Sequence, residues 1–160
     1  MIRVFVSILL TIGVPLNLAS AQQQSGALGR FVGNWSCKGS FTGNGASIAA
    51  DLSIQPDERS GALIVRHDDV PPNSYHALEI WTMNKTGTGA RAAVSDKYSG
   101  MRWFESTGWV GSILTWTRLE NGIAAEQFAY EFKGENMKVE WSIARNGKMT
   151  LGDAILCRRA

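Results

Sequence analysis

The sequence predicts an all-β chain that closes into an up-and-down antiparallel barrel of about ten strands. Three observations carry that reading. Turn signals rich in Gly, Asn, Asp and Pro recur every eight to twelve residues across the 160-residue chain, with alternating apolar and polar runs between them and no amphipathic helical period. Cys37 falls in the first of these runs and Cys157 in the last. In an oxidising compartment the default for two such cysteines is one disulfide, which would bring the first and last strands together and favour closure over an open sandwich. In the chain-entropy model a loop of that length stabilises the fold by at most ~4–5 kcal/mol.

The first residues read as an export signal rather than as part of the fold. Met1 to Arg3 is a short basic start, a mostly apolar run extends to Leu18, and Ala19-Ser20-Ala21 fits the small-x-small cleavage pattern. Gly13, Pro15 and Asn17 interrupt the run, which argues against a membrane-spanning helix. The expected product is a periplasmic or secreted chain whose residues 22–160 form one barrel domain. Removal of 21 residues leaves 139, with 15 basic against 14 acidic side chains. A charge so nearly balanced gives no electrostatic case for a nucleic-acid partner or an anionic membrane surface.

Residues 31–42 alternate cleanly, with Phe31, Gly33, Trp35, Cys37, Gly39 and Phe41 on one face. Gly43-Asn44-Gly45 turns the chain into a second strand that carries Ile48, Ala50, Leu52 and Ile54 on its apolar face. Residues 63–83 read as a hairpin around Pro71-Pro72-Asn73-Ser74 and hold both histidines of the chain. A turn centred on the two prolines pairs His67 with His76, Val65 with Leu78 and Leu63 with Ile80 on one side. Ile64, Arg66, Asp68, Tyr75, Ala77, Glu79 and Trp81 then share the other.

Beyond the turn at residues 84–89, residues 90–96 form a weaker strand of low bulk, and strands follow at 101–107 and 113–119. Gly108-Trp109-Val110-Gly111 between them reads as a turn with an indole in it. Asn121-Gly122 leads into residues 125–133, where Phe128, Tyr130 and Phe132 share a face. The last hairpin is the clearest: Asn146-Gly147 suits the two positive-φ positions of a type I′ turn. An unbroken register from that turn sets Trp141 against Gly152, where a missing side chain leaves room for an indole. It also opposes Glu140 with Asp153 and turns Cys157 away from the Trp141 face. A one-residue bulge at Gly152-Asp153 removes the like-charge pair and turns Ile155 and Cys157 inward.

Several segments now carry a resemblance. Gly33-Asn34-Trp35 is similar to the Gly-x-Trp of lipocalin-like (calycin) barrels. The segments His67-Asp68-Asp69-Val70-Pro71-Pro72, Tyr75-His76-Ala77, Gly100-Met101-Arg102-Trp103-Phe104 and Gly152-Asp153 resemble those of exported bacterial lipocalin-like proteins of unknown function. The resemblance spans nearly all of residues 22–160 and implies a barrel with a central cavity for a small, mostly apolar ligand. Nitrobindin-like haem-binding barrels of ten strands are a more distant comparison. Their haem-ligating histidine lies late in the chain, whereas no histidine follows His76 here, so no haem or other cofactor is expected.

The chemistry-bearing residues point to binding more than to catalysis. The chain has no Gly-x-Ser-x-Gly, Cys-x-x-Cys or His-Glu-x-x-His. His67, Asp68, Asp69 and His76 supply nitrogen and oxygen ligands but make an incomplete metal site, and no metal is assigned. Six tryptophans are more informative. Trp103 and Trp116 lie on consecutive strands beside Arg102 and Arg118, and indoles capped by an arginine would hold a planar or amphipathic molecule with a carboxylate. Arg118 shares a face with Trp116, so it points inward if they do, and then needs Glu105 or an anionic ligand as partner. The expected ligand-binding set is therefore His67, His76, Trp103, Trp116, Arg118, Tyr130 and Trp141, serving a small hydrophobic or amphipathic ligand. The runner-up readings are a hydrolase or isomerase using His67 and His76 with Asp69, and a structural or partner-binding barrel with a filled core.

Overall fold

The computed structural model describes residues 27–160. The expected signal segment lies outside the described residues. Eleven strands follow a short 3-10 turn, Gly29–Phe31: β1 Gly33–Phe41, β2 Ser47–Asp57, β3 Ala62–Asp69, β4 His76–Met83, β5 Ala90–Asp96, β6 Gly100–Ser106, β7 Trp109–Val110, β8 Ile113–Glu120, β9 Ile123–Lys133, β10 Asn136–Arg145 and β11 Lys148–Arg159. They form one antiparallel sheet in the order β6-β5-β4-β3-β2-β1-β11-β10-β9-β8-β7. A further pairing of β6 with β8 at Glu105 and Thr117 closes ten of them into a barrel and leaves β7 as a short extra strand on β8. The segment 108–111, read from sequence as a turn, thus holds β7: Trp109 and Val110 pair with Leu114 and Ile113. No helix of the described residues is long and apolar enough to cross a membrane.

Closure works as the cysteines suggest. Cys37 and Cys157 are direct cross-strand neighbours on β1 and β11 and form a disulfide buried in the core. The first strand begins at Gly33 rather than at residue 31, because Gly29–Phe31 turns across one end of the barrel and drops the Phe31 ring inside. Phe31 packs edge-on against Trp81 and Tyr130 and stacks on Trp109. The Trp35 indole donates to the Phe31 carbonyl at 2.8 Å. Arg159 lies over Trp35 and donates to the carbonyls of Val32 and Arg30, so the closed end is apolar inside and hydrogen-bonded at its rim.

The bulge in the last hairpin is present. Ser142 pairs with Leu151 but Trp141 with Asp153, so Gly152 is the extra residue, and Ile155 and Cys157 turn into the core. A Cβ on Gly152 would stand 2.2 Å from Trp141 Cε3, so the indole lies directly on the glycine. Thr42 satisfies the bulge, donating its backbone N–H to the Gly152 carbonyl and its hydroxyl to that of Leu151. Asn121 and Asn146, each followed by a positive-φ glycine, adopt the left-handed backbone of the two tight hairpins.

The central hairpin departs from expectation by one residue. His67 pairs with Ala77, Asp68 with His76 and Leu63 with Trp81. The Asp69 N–H bonds to the Tyr75 carbonyl, which extends the ladder by one pair and moves its centre to Pro72. A one-residue slip exchanges the two faces of β4. Trp81, Glu79 and Ala77 therefore face the interior, while His76, Leu78 and Ile80 face outward. Counting apolar residues favours Leu78 and Ile80 inside. The larger Trp81 wins, because its ring contacts Phe31, Trp116 and Tyr130 and is fully buried there.

Candidate functional site

An up-and-down barrel places alternate turns at opposite ends. The turns after β1, β3, β5, β8 and β10 surround the end away from Phe31, and there the interior is open. A cavity of about 570 Å³ runs down from it. Its floor is aromatic: Trp81, Trp116 and Tyr130, seated on the Phe31 plug. Phe104, Phe128, Val139 and Ile155 form the apolar middle, and the upper part is polar.

Two polar groups share that upper part. The first laces β5, β6, β8, β9 and β10 together around Glu126, which is almost wholly buried. Arg102 donates to Glu126 Oε1, to Asp96 Oδ2 and, at 3.2 Å, to the Tyr75 hydroxyl. Arg118 Nε donates to Glu126 Oε2 at 2.9 Å, its terminal nitrogen pairs with Glu120, and Trp141 Nε1 donates to Glu126 Oε1 at 2.9 Å. Asp96 Oδ1 also accepts the backbone N–H groups of Tyr98 and Ser99. Burial alone would raise the Asp96 carboxyl; those N–H groups and Arg102 more than offset it and hold it below the usual range. Burial likewise works against the charged Arg102, but Glu126, Tyr75 and Asp96 hold its proton more firmly than usual. The network crosses the seam where β6 and β8 share one ladder pair, so side chains supply what the backbone does not.

The second group faces it from β3, β4 and β11. His67 Nε2 lies 3.2 Å from Asp69 Oδ1, with the His67 ring edge-on to Tyr75. Glu79, only 7% exposed, accepts the Trp81 indole N–H at 2.7 Å. Burial pushes the Glu79 carboxyl up, against the opposing pull of His67 and the Trp81 N–H. Asp153 forms no ion pair among the described residues; burial drives its carboxyl up to about 6, with His67 opposing and Asp69 reinforcing. Tyr130 is 4% exposed, its hydroxyl has no protein partner among the described residues, and burial with nearby Glu79 holds its proton firmly. Two buried donors, Arg102 Nε and Trp116 Nε1, also have no partner among the described residues.

Of the seven residues singled out from sequence, His67, Trp116, Arg118, Tyr130 and Trp141 line this cavity. His76 and Trp103 do not. His76 lies on the outer face against Asp68 at 2.9 Å, a consequence of the shifted β4 register, so the two imidazoles do not meet and the four candidate metal ligands split between inside and outside. Trp103 is 66% exposed on the outer face, where Ala93 and Ser95 of β5 separate Trp103 and Met101 from the likewise exposed Ile80 and Leu78. Arg118 does point inward, but Glu126 and Glu120 hold it rather than Glu105, which pairs with Arg91 outside. Glu79, Asp96, Glu126 and Asp153 are not among the binding residues expected from sequence, and Arg102 is read there only as the arginine beside Trp103. Their partners are distant in sequence, and an isolated Glu or Arg on an alternating strand reads as a solvated face. The available signal was parity: Glu126 with Phe128, Tyr130 and Phe132, Arg102 with Phe104, and Glu79 with Trp81.

No family model matches the chain, and no curated protein does. Among solved structures the chain is similar to the crystal structure of Rv2717c from M. tuberculosis, with a TM-score of 0.63 and 11% identity over 90% of this chain and 99% of that one. At that identity the likeness concerns the barrel fold.

Proposed function

We propose that this protein is an exported, lipocalin-like barrel that binds a small hydrophobic or amphipathic molecule in its central cavity, in the periplasm or after secretion. The observation that carries the reading is the cavity of about 570 Å³, apolar at depth and ringed by converging polar groups. That volume falls within the ~300–1,000 Å³ of sites for small organic ligands. A barrel with a purely structural role would fill that space with side chains, as the Phe31 end does. His67, Trp116, Arg118, Tyr130 and Trp141 would contact the ligand from the interior strands. Export is supported by the Cys37–Cys157 disulfide, which persists in oxidising compartments, together with the basic, apolar and small-residue order of the first 21 residues. The calycin assignment rests on Gly33-Asn34-Trp35 at the start of β1 and on barrel closure.

Native mass spectrometry of the protein purified from its own host compartment tests the reading. The expected result is a mass excess over the oxidised polypeptide that disappears on denaturation and identifies the ligand. Equal native and denatured masses, together with no uptake of apolar probes, would return the barrel to a structural role.

A further inference from the structure

Five carboxylates line the cavity, Asp69, Glu79, Asp96, Glu126 and Asp153, against two guanidiniums. Both guanidiniums are already engaged: Arg102 by Asp96 and Glu126, Arg118 by Glu126 and Glu120. An anionic head group would therefore have to displace a buried carboxylate to reach either arginine. The opposite side holds Asp69, Glu79 and Asp153; His67 pairs with Asp69, whereas neither Glu79 nor Asp153 forms an ion pair among the described residues. Tyr130 adds a second, independent feature. It is buried, lines the cavity floor within electrostatic reach of Glu79 and Asp153, and has a hydroxyl without a protein partner among the described residues.

We infer that the ligand carries a cationic, amine-type head group, which docks against Asp153, Glu79 and the Tyr130 hydroxyl while its apolar body lies along Trp81 and Trp116. This deepens the binding reading above and rests on it. An ammonium has three donors and no acceptor, so it matches two carboxylates and a hydroxyl oxygen. Indole faces attract the same charge through the ring quadrupole, and the low polarity of the floor strengthens both effects. Burial raises the carboxyls of Asp153 and Glu79 despite the opposing pull of His67 on both and of Arg102 on Glu79, and neither acid is held in an ion pair among the described residues.

A series of equal chain length separates this inference from the binding reading: decylamine, decanol and decanoate, titrated calorimetrically into the full chain at pH 7.5. The expected order is decylamine about tenfold tighter than decanol, with decanoate weakest. Asp153→Asn should bring the amine-to-decanol ratio toward one. Decanol binding with no preference for the amine, or with decanoate tightest, would overturn the cationic head group and leave the cavity reading standing. Failure of all three to bind would overturn both. Should Asp153→Asn not fold, the proton count at pH 6 in buffers of different ionisation enthalpy replaces it. Amine binding should then release protons from carboxyls, and no release would count against the inference.

Discussion

The two ends of the barrel solve opposite problems with similar residues. At the closed end Phe31, Trp35, Trp81, Tyr130 and Phe132 interlock at ring separations of 5.1 to 5.9 Å, and the two arginines at its rim are used for packing and capping: Arg30 lies over Phe132, and Arg159 covers Trp35 and donates to carbonyls. Around the cavity that opens at the other end, carboxylates stand among the aromatics, and two buried N–H groups, of Arg102 and Trp116, have no partner among the described residues. Interiors normally pair more than nine in ten of such groups. The closed end therefore supplies packing, and the open end holds polar groups in place at some cost to stability. That difference is what distinguishes a stabilising plug from a site.

The largest effect should come from breaking the plug. Phe31→Ala is expected to lower stability by about 3–5 kcal/mol, read by guanidinium denaturation, because it removes a ring that contacts Trp81, Trp109, Tyr130 and Phe132 together. A loss below about 1 kcal/mol, within the range of surface substitutions, would mean the plug is not what holds that end together.

A smaller loss is expected at the open end from Glu126→Gln. It weakens the acceptor shared by Arg102, Arg118 and Trp141. About 2–3 kcal/mol is expected, below the 3–5 of a fully orphaned buried charge, since Arg102 keeps Asp96 and Arg118 keeps Glu120. Hydrogen exchange should show the loss concentrated in β6 and β8, on either side of the seam. Uniform exchange across the barrel would argue that the network does not lace it.

The finest comparison is in pH. Asp153 is faced by His67 and Asp69 from β3, by Tyr130 from β9 and by Trp141 from β10. Its folded carboxyl lies at about 6, above the value of 3.8 it has without the fold. The stabilisation linked to its protonated form is thus present below about pH 4 and lost as pH rises through 6. Asp153→Asn should match wild type near pH 4 and exceed it at pH 7.5 by about 1–2 kcal/mol after allowance for solvent screening. Equal stability at both pH values would place Asp153 in water rather than in the cavity wall.

Local chemistry made much of this barrel legible in the amino-acid order. Asn146-Gly147 could hardly be anything but a tight hairpin, because both residues must take positive φ. The bulge at Gly152 followed from a charge clash and a parity argument that involve only neighbouring strands. The low-bulk strand at Ala90–Asp96 was readable because alternation survives even with alanines. Cysteines near the two ends of the barrel sequence were enough to suggest which strands meet.

The register of β3 with β4 was decided elsewhere. Between Asp69 and His76 the loop is too long to fix pairing by itself, and Leu78 with Ile80 competes with Trp81 for the interior. The Phe31 plug, brought from the other end of the barrel, settles that competition by offering the larger ring a seat. The polar site has the same origin. Glu126 gathers Arg102, Arg118 and Trp141, at separations of 24, 8 and 15 residues, because closure sets their strands side by side. Alternation in sequence reports which residues share a face of one strand; which charges meet across a cavity depends on the curvature and closure of all ten.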